Sequence, residues 1–188
     1  MRGELIFVCG GSGSGKSAWA ERAILSQAAK APGSRAIYLA AMENAGAEAA
    51  ARIARHRAMR ARHGAEAGVM FTTEERCADI GGAAIQPGDF VLLEDLGNLL
   101  ANEIWSPYGA GADHAAERVL TGISSLLERA CKLIVVSSDV FRSGETYDEG
   151  TMFYIRALAG LHRELTKMAS QAIEVVCGIP IPIMRIKD

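Results

Sequence analysis

A glycine-rich segment close to the amino end constrains the fold of this chain more than any other feature. Residues 10–17 read Gly-Gly-Ser-Gly-Ser-Gly-Lys-Ser and fit the pattern G-x-x-x-x-G-K-[ST]. The continuous apolar run at residues 5–9 predicts a buried strand before this segment. The helix-forming residues 17–29 predict a helix after it, with Glu21 and Arg22 facing water. A strand, a phosphate-binding loop and a helix in this order indicate a P-loop nucleotide-binding protein.

The composition of this loop suits the binding of phosphate groups. Its glycines allow successive backbone N–H groups to turn toward anionic oxygens, and the helix N-terminus adds partial positive charge. Lys16 is expected to bridge the β and γ phosphates and to act in catalysis, and Ser17 to coordinate Mg²⁺. A flexible glycine turn could match by accident, but the flanking strand and helix argue against it. The predicted nucleotide-binding set is Gly10, Gly11, Ser12, Gly13, Ser14, Gly15, Lys16 and Ser17.

Apolar runs alternate with helical segments along most of the chain. Strands are predicted at residues 5–9, 36–40, 69–73, 90–95 and 133–136, with a hairpin from residue 173 to residue 186. Helices are predicted at residues 17–29, 47–62, 114–129 and 152–169, and Gly64 is expected to end the second of them. The alternation predicts a single α/β domain over residues 1–188. Its P-loop NTPase-like, doubly wound, mostly parallel sheet should carry helices on both faces and a carboxyl-terminal antiparallel hairpin.

Composition and charge narrow the classes of partner. The formal net charge is -2 and the pI is near 6.1, so we expect small-molecule partners and no binding of nucleic acid or of a membrane. The run at residues 5–9 is too short to span a bilayer and leads directly into the loop. We therefore expect no signal peptide and a cytoplasmic protein. The four cysteines form no CxxC pair and are expected to be buried thiols, not metal ligands.

Two acidic residues end a predicted buried strand. Glu94 and Asp95 follow the apolar residues 90–93. Acids in this position often organise Mg²⁺ or its waters, so Ser17, Glu94 and Asp95 are the candidate metal ligands. The residues alone do not decide which acid serves the metal, and solvated charges at a strand end are the alternative.

One predicted helix carries a high density of basic residues. Arg52, His56 and Arg60 recur at i, i+4 and i+8 and therefore share a face. Their like charges repel, and a bound anion such as triphosphate would relieve the repulsion. A neutral imidazole among them could act as a nucleophile or general base near pH 7. The alternative is a solvated basic face, and His63 and His114 have no comparable setting.

Several segments, taken in order, resemble one enzyme family. The loop at residues 10–17, the run Ala-Ile-Tyr-Leu-Ala-Ala at residues 36–41 and the segment Arg-Ile-Ala-Arg-His-Arg-Ala-Met-Arg at residues 52–60 are similar to the bifunctional adenosylcobinamide kinase/adenosylcobinamide-phosphate guanylyltransferase family. Residues 71–75 look like its aromatic-x-Thr-x-Glu segment, and residues 92–96 with Asn102 look like its acid-ended strand and following helix. Residues 175–180 resemble its closing hairpin, so the resemblance runs nearly end to end.

The resemblance implies a two-step enzyme. Family members phosphorylate the aminopropanol hydroxyl of adenosylcobinamide and then transfer GMP from GTP onto that phosphate, in cobalamin biosynthesis and salvage. His56 matches the histidine that carries the GMP. The resemblance further implies GTP or ATP with Mg²⁺, a corrinoid acceptor and a homotrimer, with Glu94 contacting the guanosine. The nucleotide contacts that it implies are Ala40, Ala41, Met42, Arg57, Ala58, Met59, Arg60 and Glu94.

The chain departs from the family pattern in one region. Ser-Asp-Val-Phe at residues 138–141 stands where the family usually has Asn-Glu-Val-Gly, the Ile-Val-Pro that follows is missing, and His162 replaces a common asparagine. Residues 141–150 could therefore shape a different acceptor pocket.

Two other functions stay open on the residues alone: a P-loop kinase for another small molecule, and a GTP-binding protein that transfers nothing. The choice between ATP and GTP in the kinase step is also open.

Overall fold

The fold is a layered arrangement of helices and strands, seen in a computed structural model that describes residues 2–42, 47–142 and 144–185. The strands are β1 (Glu4–Gly10), β2 (Ala36–Ala40), β3 (Phe71–Glu75), β4 (Phe90–Glu94), β5 (Lys132–Ser138), β6 (Gln171–Val176) and β7 (Ile179–Arg185). The helices are α1 (Lys16–Ala28), α2 (Ala47–Ala67), α3 (Leu96–Trp105), α4 (Ala115–Arg129) and α5 (Glu149–Met168). A short 3₁₀ turn, Ile80–Gly82, lies between β3 and β4.

The strands form one sheet at the centre of the molecule. Among the described residues its order is β3-β2-β4-β5-β1-β6-β7, with β7 antiparallel to β6 and the other neighbouring pairs parallel. Val8 pairs with Val136 and Leu39 pairs with Leu93, so the parallel strands end at the same side of the sheet. The predicted doubly wound, mostly parallel sheet with a closing hairpin is confirmed.

Helices cover both faces of the sheet, and each face has its own apolar core. On one face α1 contributes Ile24 to a buried cluster that includes Val8. On the other face α3, α4 and α5 contribute Leu99, Leu126 and Leu161. Burial on both faces explains why the strands read as continuous apolar runs. Within the described ranges, no helix is both long enough and apolar enough to cross a membrane.

The second helix is longer than the sequence predicted. α2 continues through Gly64 to Ala67 and stops before Gly68, whose φ is 71°, so the expectation that Gly64 ends the helix is wrong. A Cβ at Gly64 would lie 2.7 Å from Met70 Sδ and 2.9 Å from the carbonyl oxygen of Val69. Glycine is therefore required there because the returning chain passes close to the helix.

The cysteines do not follow the expectation of buried thiols. Cys131 and Cys177 are exposed, whereas Cys9 and Cys77 are partly buried, so the expectation is wrong for two of the four. Burial raises the pKa of the Cys9 thiol to about 11, and Glu174 and Asp139 raise it further. The thiol of Cys9 is therefore protonated at neutral pH.

A histidine links α5 to the end of β5. His162 Nε2 lies 2.7 Å from Ser137 Oγ. Its ring packs edge-on against Phe7 and Phe141, at centroid distances of 4.9 and 5.1 Å. Burial lowers the pKa of His162 to about 4, although Asp139 acts in the opposite direction. The imidazole is therefore neutral at pH 7 and serves packing.

We predict that His162 makes the protein less stable in acid. Because folding lowers its pKa from 6.5, the unfolded chain binds more protons between pH 6.5 and pH 4. The free energy of unfolding therefore decreases as pH falls through that window. His162→Gln keeps a polar group near Ser137 but does not titrate. In urea unfolding from pH 4 to 7, the free energy of unfolding of this variant relative to that of the wild type should rise by up to about 3 kcal/mol as the pH falls to 4. Identical pH profiles for the two proteins would contradict this role.

Candidate functional site

The carboxyl end of the sheet opens into one large cavity. Its volume is about 780 Å³, within the range of small-molecule sites. Its walls come from the phosphate loop after β1, the ends of β2, β3 and β4, and helix α2. The lining residues are Ser12, Gly13, Ser14, Gly15, Lys16, Ser17, Ala18, Tyr38, Ala40, Met42, Ile53, Ala54, His56, Arg57, Met59, Arg60, Thr73, Glu75, Glu94, Asp95 and Asn98.

The phosphate loop is held in a tight shape by its own backbone. Gly13 and Gly15 have φ angles of 70° and 87°, a region that favours glycine. The Ser14 N–H donates to the Gly11 carbonyl at 3.2 Å. Lys16 is buried at the start of α1, and its Nζ donates to the same carbonyl at 3.3 Å. The ammonium group therefore lies folded over the loop, where it can meet an anion seated on the loop amides.

A carboxylate at the end of β4 reaches the first turn of α1. Ser17 Oγ donates to Glu94 Oε1, whereas Glu94 Oε2 is buried and accepts no hydrogen bond from the described part of the chain. Burial raises the pKa of Glu94 to about 7, the bond from Ser17 lowers it, and Asp95 raises it. Asp95 caps α3, because its Oδ1 accepts from the Asn98 N–H at 2.7 Å.

This donor set fits Mg²⁺. A serine hydroxyl and carboxylate oxygens are hard ligands, and the buried Oε2 of Glu94 would gain a cationic partner. Asp95 uses one oxygen in the helix cap, so Ser17 and Glu94 are the better candidates. The contact with Ser17 also favours a metal role for Glu94 over the guanosine contact that the resemblance implied. No cluster of three His, Cys, Asp or Glu suited to a metal occurs among the described residues.

Helix α2 forms a second wall of the cavity. His56, Arg57, Met59 and Arg60 line it, whereas Ala58 is exposed outside it. The structure therefore brings the histidine and two arginines of the basic segment, Arg57 and Arg60, into the same space as the phosphate loop. Of the loop residues predicted to bind nucleotide, Gly10 and Gly11 stand outside this lining.

Arg60 anchors α2 to the sheet. It is buried, and its guanidinium carbon lies 3.7 Å from the centroid of the Tyr38 ring on β2. This is a cation–π contact. Its neighbour Arg57 pairs instead with Glu75 at the end of β3, where both side chains are exposed. The two arginines predicted to bind nucleotide therefore differ: Arg60 is fixed by packing, and Arg57 forms an ion pair at the rim.

A second contact anchors α2 to α1. His63 Nδ1 lies 2.6 Å from Glu21 Oε2, and Glu21 is only 1% exposed. The expectation that Glu21 faces water is wrong, because α2 covers this side of α1. Burial raises the pKa of Glu21, while His63, Arg60 and Arg22 act to lower it. His63 has a specific partner that its position in the sequence did not indicate.

The end of β2 adds a further part of the wall. Ala40 and Met42 line the cavity, whereas Ala41 does not. The Ala41 N–H donates to the Glu94 carbonyl at 3.0 Å, and its carbonyl accepts from Asn102 Nδ2 at 2.7 Å. Its backbone is thus bonded within the protein, so Ala40 and Met42 are the better candidates for contact with a nucleotide.

Several lining residues were not singled out from the sequence. Thr73 and Glu75 belong to the aromatic-x-Thr-x-Glu segment, which is the signal that could have identified them. Tyr38 lies in the segment at residues 36–41, and Asn98 follows the acid-ended strand by one helical turn. Ala18, Ile53 and Ala54 also line the cavity, and they carry no chemical signal in the sequence.

The segment that departs from the family pattern lies beside the phosphate loop. The Asp139 N–H donates to the Gly10 carbonyl at 2.9 Å. Arg142 pairs with Asp139 at 2.8 Å and with Glu174 on β6 at 2.9 Å. Of the described residues in the range 138–150, none lines the cavity. The described part of the altered segment therefore forms no part of the cavity wall.

We predict that the contact between Glu21 and His63 keeps α2 ordered over the cavity. His63→Ala leaves a buried carboxylate without its partner, which should lower the free energy of unfolding by about 1–3 kcal/mol. Amide hydrogen exchange at residues 53–67 should accelerate, while the amides of β1 and β5 stay protected. Arg62→Ala is the control, because it removes only the exposed pair with Glu66 on the same helix and should cost less than about 0.5 kcal/mol. Equal exchange rates in the two variants would contradict the anchoring role.

Comparison with solved structures identifies a shared fold. The KaiC-like protein PH0186 from Pyrococcus horikoshii OT3 matches with a TM-score of 0.52 at 14% identity, over 92% of this chain and 71% of that chain. The flagellar accessory protein FlaH from Methanocaldococcus jannaschii matches with a TM-score of 0.49 at 10% identity, over 98% of this chain and 79% of that chain. At such identity the match to PH0186 shows the fold alone. Comparison with curated protein sequences gave no match.

A family model gives the more specific match. The model described as cobinamide kinase / cobinamide phosphate guanyltransferase matches residues 6–183. That span begins within β1 and ends within β7, so it includes the phosphate loop, α2 and all the cavity walls. Since the match covers almost the whole chain, this protein belongs to the cobinamide kinase / cobinamide phosphate guanyltransferase family.

Proposed function

We propose that this protein phosphorylates cobinamide with a nucleoside triphosphate and then transfers GMP from GTP to the cobinamide phosphate. The observation that carries the proposal is the shared cavity, in which residues 12–17 of the phosphate loop and His56 on α2 line the same space. A phosphate loop alone serves kinases, switches and motors. A histidine in the same cavity adds a nucleophile that a simple kinase does not need.

In the kinase step, the hydroxyl oxygen of cobinamide attacks the γ phosphorus of the triphosphate. An oxygen–phosphorus bond forms on the acceptor as the hydroxyl loses its proton to solvent, the bond from the γ phosphorus to its bridging oxygen breaks, and nucleoside diphosphate leaves. Lys16 and the loop N–H groups stabilise the negative charge on the phosphates. Mg²⁺, which Ser17 and Glu94 would hold together with phosphate oxygens, supplies further charge neutralisation when bound.

In the transfer step, the neutral imidazole of His56 attacks the α phosphorus of GTP. A nitrogen–phosphorus bond forms, the bond to the bridging oxygen breaks, and pyrophosphate leaves. The phosphate oxygen of cobinamide phosphate then attacks the same phosphorus, and the nitrogen–phosphorus bond breaks to release His56. Arg57 and Arg60 line the cavity beside His56 and would stabilise the charge on the departing pyrophosphate.

The two alternative functions have less support. The family match names cobinamide as the acceptor, and the altered segment at residues 138–150 lies outside the lining of the cavity within the described residues. A kinase for another acceptor and a GTP-binding protein without transfer activity would both leave His56 without a role. From the resemblance we also expect a homotrimer in the cytoplasm. Sedimentation velocity would test the trimeric state.

We predict that His56 becomes covalently labelled by GTP. Incubation with GTP labelled at the α phosphorus should give protein-bound label that acid releases, because a phosphoramidate bond is acid-labile. His56→Ala should reduce the label at least a hundredfold, since the nucleophile is absent. His114→Ala, which removes an exposed histidine at the start of α4, is the matched control and should label like the wild type. Equal labelling of His56→Ala and the wild type would show that the assigned nucleophile is wrong.

We predict that Lys16 serves both steps. Lys16→Ala removes the ammonium group that lies over the loop, and both cobinamide phosphorylation and GMP transfer should fall by about a hundredfold or more. Lys30→Ala changes an exposed lysine just after α1 and should leave both rates within about twofold of the wild type. Retention of either rate in Lys16→Ala would show that Lys16 does not serve that step.

A further inference from the structure

The turn that joins β6 to β7 touches the phosphate loop. β6 runs parallel to β1, with Glu174 opposite Cys9, so the carboxyl end of β6 lies beside the start of the loop. At the turn, the Gly178 N–H donates to the Ser14 carbonyl at 2.8 Å. A Cβ on Gly15 would lie 3.2 Å from Gly178 Cα, so the two main chains are in close contact.

The hairpin determines the shape of this turn independently of the loop. Val176 pairs with Ile179, which leaves two residues between the strands. Both of these residues, Cys177 and Gly178, have positive φ angles, of 49° and 80°. A two-residue turn of this kind matches the twist of antiparallel strands. The position of the Gly178 N–H is therefore fixed by the sheet, because β6 is hydrogen-bonded to β1.

The contact orients one peptide plane of the loop. In a trans peptide the carbonyl and the N–H point in opposite directions. Because the Ser14 carbonyl is directed toward Gly178, the Gly15 N–H is directed away from the turn. Gly15 lines the cavity, and backbone N–H groups of such loops are the groups that bind phosphate oxygens.

We propose that Gly178 is a positioning residue for the phosphate loop. Its N–H holds the peptide between Ser14 and Gly15 so that the Gly15 N–H donates to a phosphate oxygen of the bound triphosphate. The inference rests on the proposed function, which assigns the cavity to a nucleotide. It adds a residue far along the chain to the groups that set the affinity for that nucleotide.

Replacement of one N–H by oxygen tests the proposal directly. Cys177 allows a thioester of residues 1–176 to be ligated to a synthetic peptide of residues 177–188, in which glycolic acid replaces Gly178. The ester lacks the N–H, keeps every side chain, and makes the carbonyl of the preceding residue a weaker acceptor, an effect that a control ester elsewhere in the hairpin also has. The all-amide ligated protein is the reference. The matched control has an ester at Ile181, which pairs with Glu174 in the same hairpin and lies outside the contact with the loop.

Titration calorimetry measures the affinity for GTP with Mg²⁺. The ester at Gly178 should weaken this affinity about tenfold, which corresponds to the loss of one hydrogen bond. The ester at Ile181 should bind within about twofold of the reference, even if both esters lower the unfolding temperature to the same extent. A purely structural role would give the two esters equal affinity, and that result would overturn the proposal.

A pair of glycine variants provides a second test. Gly178 and Gly33 have φ angles of 80° and 83°, and a Cβ at either position would have no atom within 4 Å. Alanine at either position therefore carries the same backbone strain, but only Gly178→Ala should weaken GTP binding, by about threefold or more. Equal affinity in both variants would argue against positioning. If the reference protein binds neither GTP nor ATP, this inference and the nucleotide assignment both fail, whereas tight binding without GMP transfer would contradict only the proposed function.

Discussion

The burial of one carboxylate, Glu21, between α1 and α2 is the interaction on which the candidate site depends. A buried carboxylate is unfavourable unless a partner compensates it, and His63 supplies that partner from α2. Arg60 also lowers the pKa of Glu21, and it packs on Tyr38 of β2. The cluster therefore joins α1, α2 and β2. Because α1 begins at the phosphate loop, the same cluster determines where α2 stands relative to that loop.

The loop and the sheet could be predicted because their signals are local. The eight residues of the loop encode a backbone shape through their glycines, and each strand of the sheet reads as a short apolar run. The contact of Glu21 with His63 has no such signal, since the two residues are 42 positions apart. On α1, a glutamate followed by an arginine looks like a solvated face. Only the packing of α2 against α1 makes that position buried.

The same distinction explains the other errors. Gly64 looks like the end of a helix, because glycine often follows the last helical turn, but it is glycine because Met70 and Val69 pass close to it. Cys177 was expected, like the other cysteines, to be a buried thiol, yet it occupies a hairpin turn and is exposed. In both cases the residue type reports on a contact with a distant segment or on a turn, and local pattern alone cannot distinguish these causes.

The basic face of α2 shows why position identifies the site better than charge. The sequence suggested that repulsion among its cations would favour a bound anion. In the structure, carboxylates already pair with two arginines of this helix: Glu75 with Arg57 and Glu66 with Arg62. A triphosphate would therefore have to compete with Glu75 for Arg57 instead of filling an uncompensated patch. The strength of the site must come from the fixed N–H groups of the loop and from Lys16, which need no rearrangement to meet the anion.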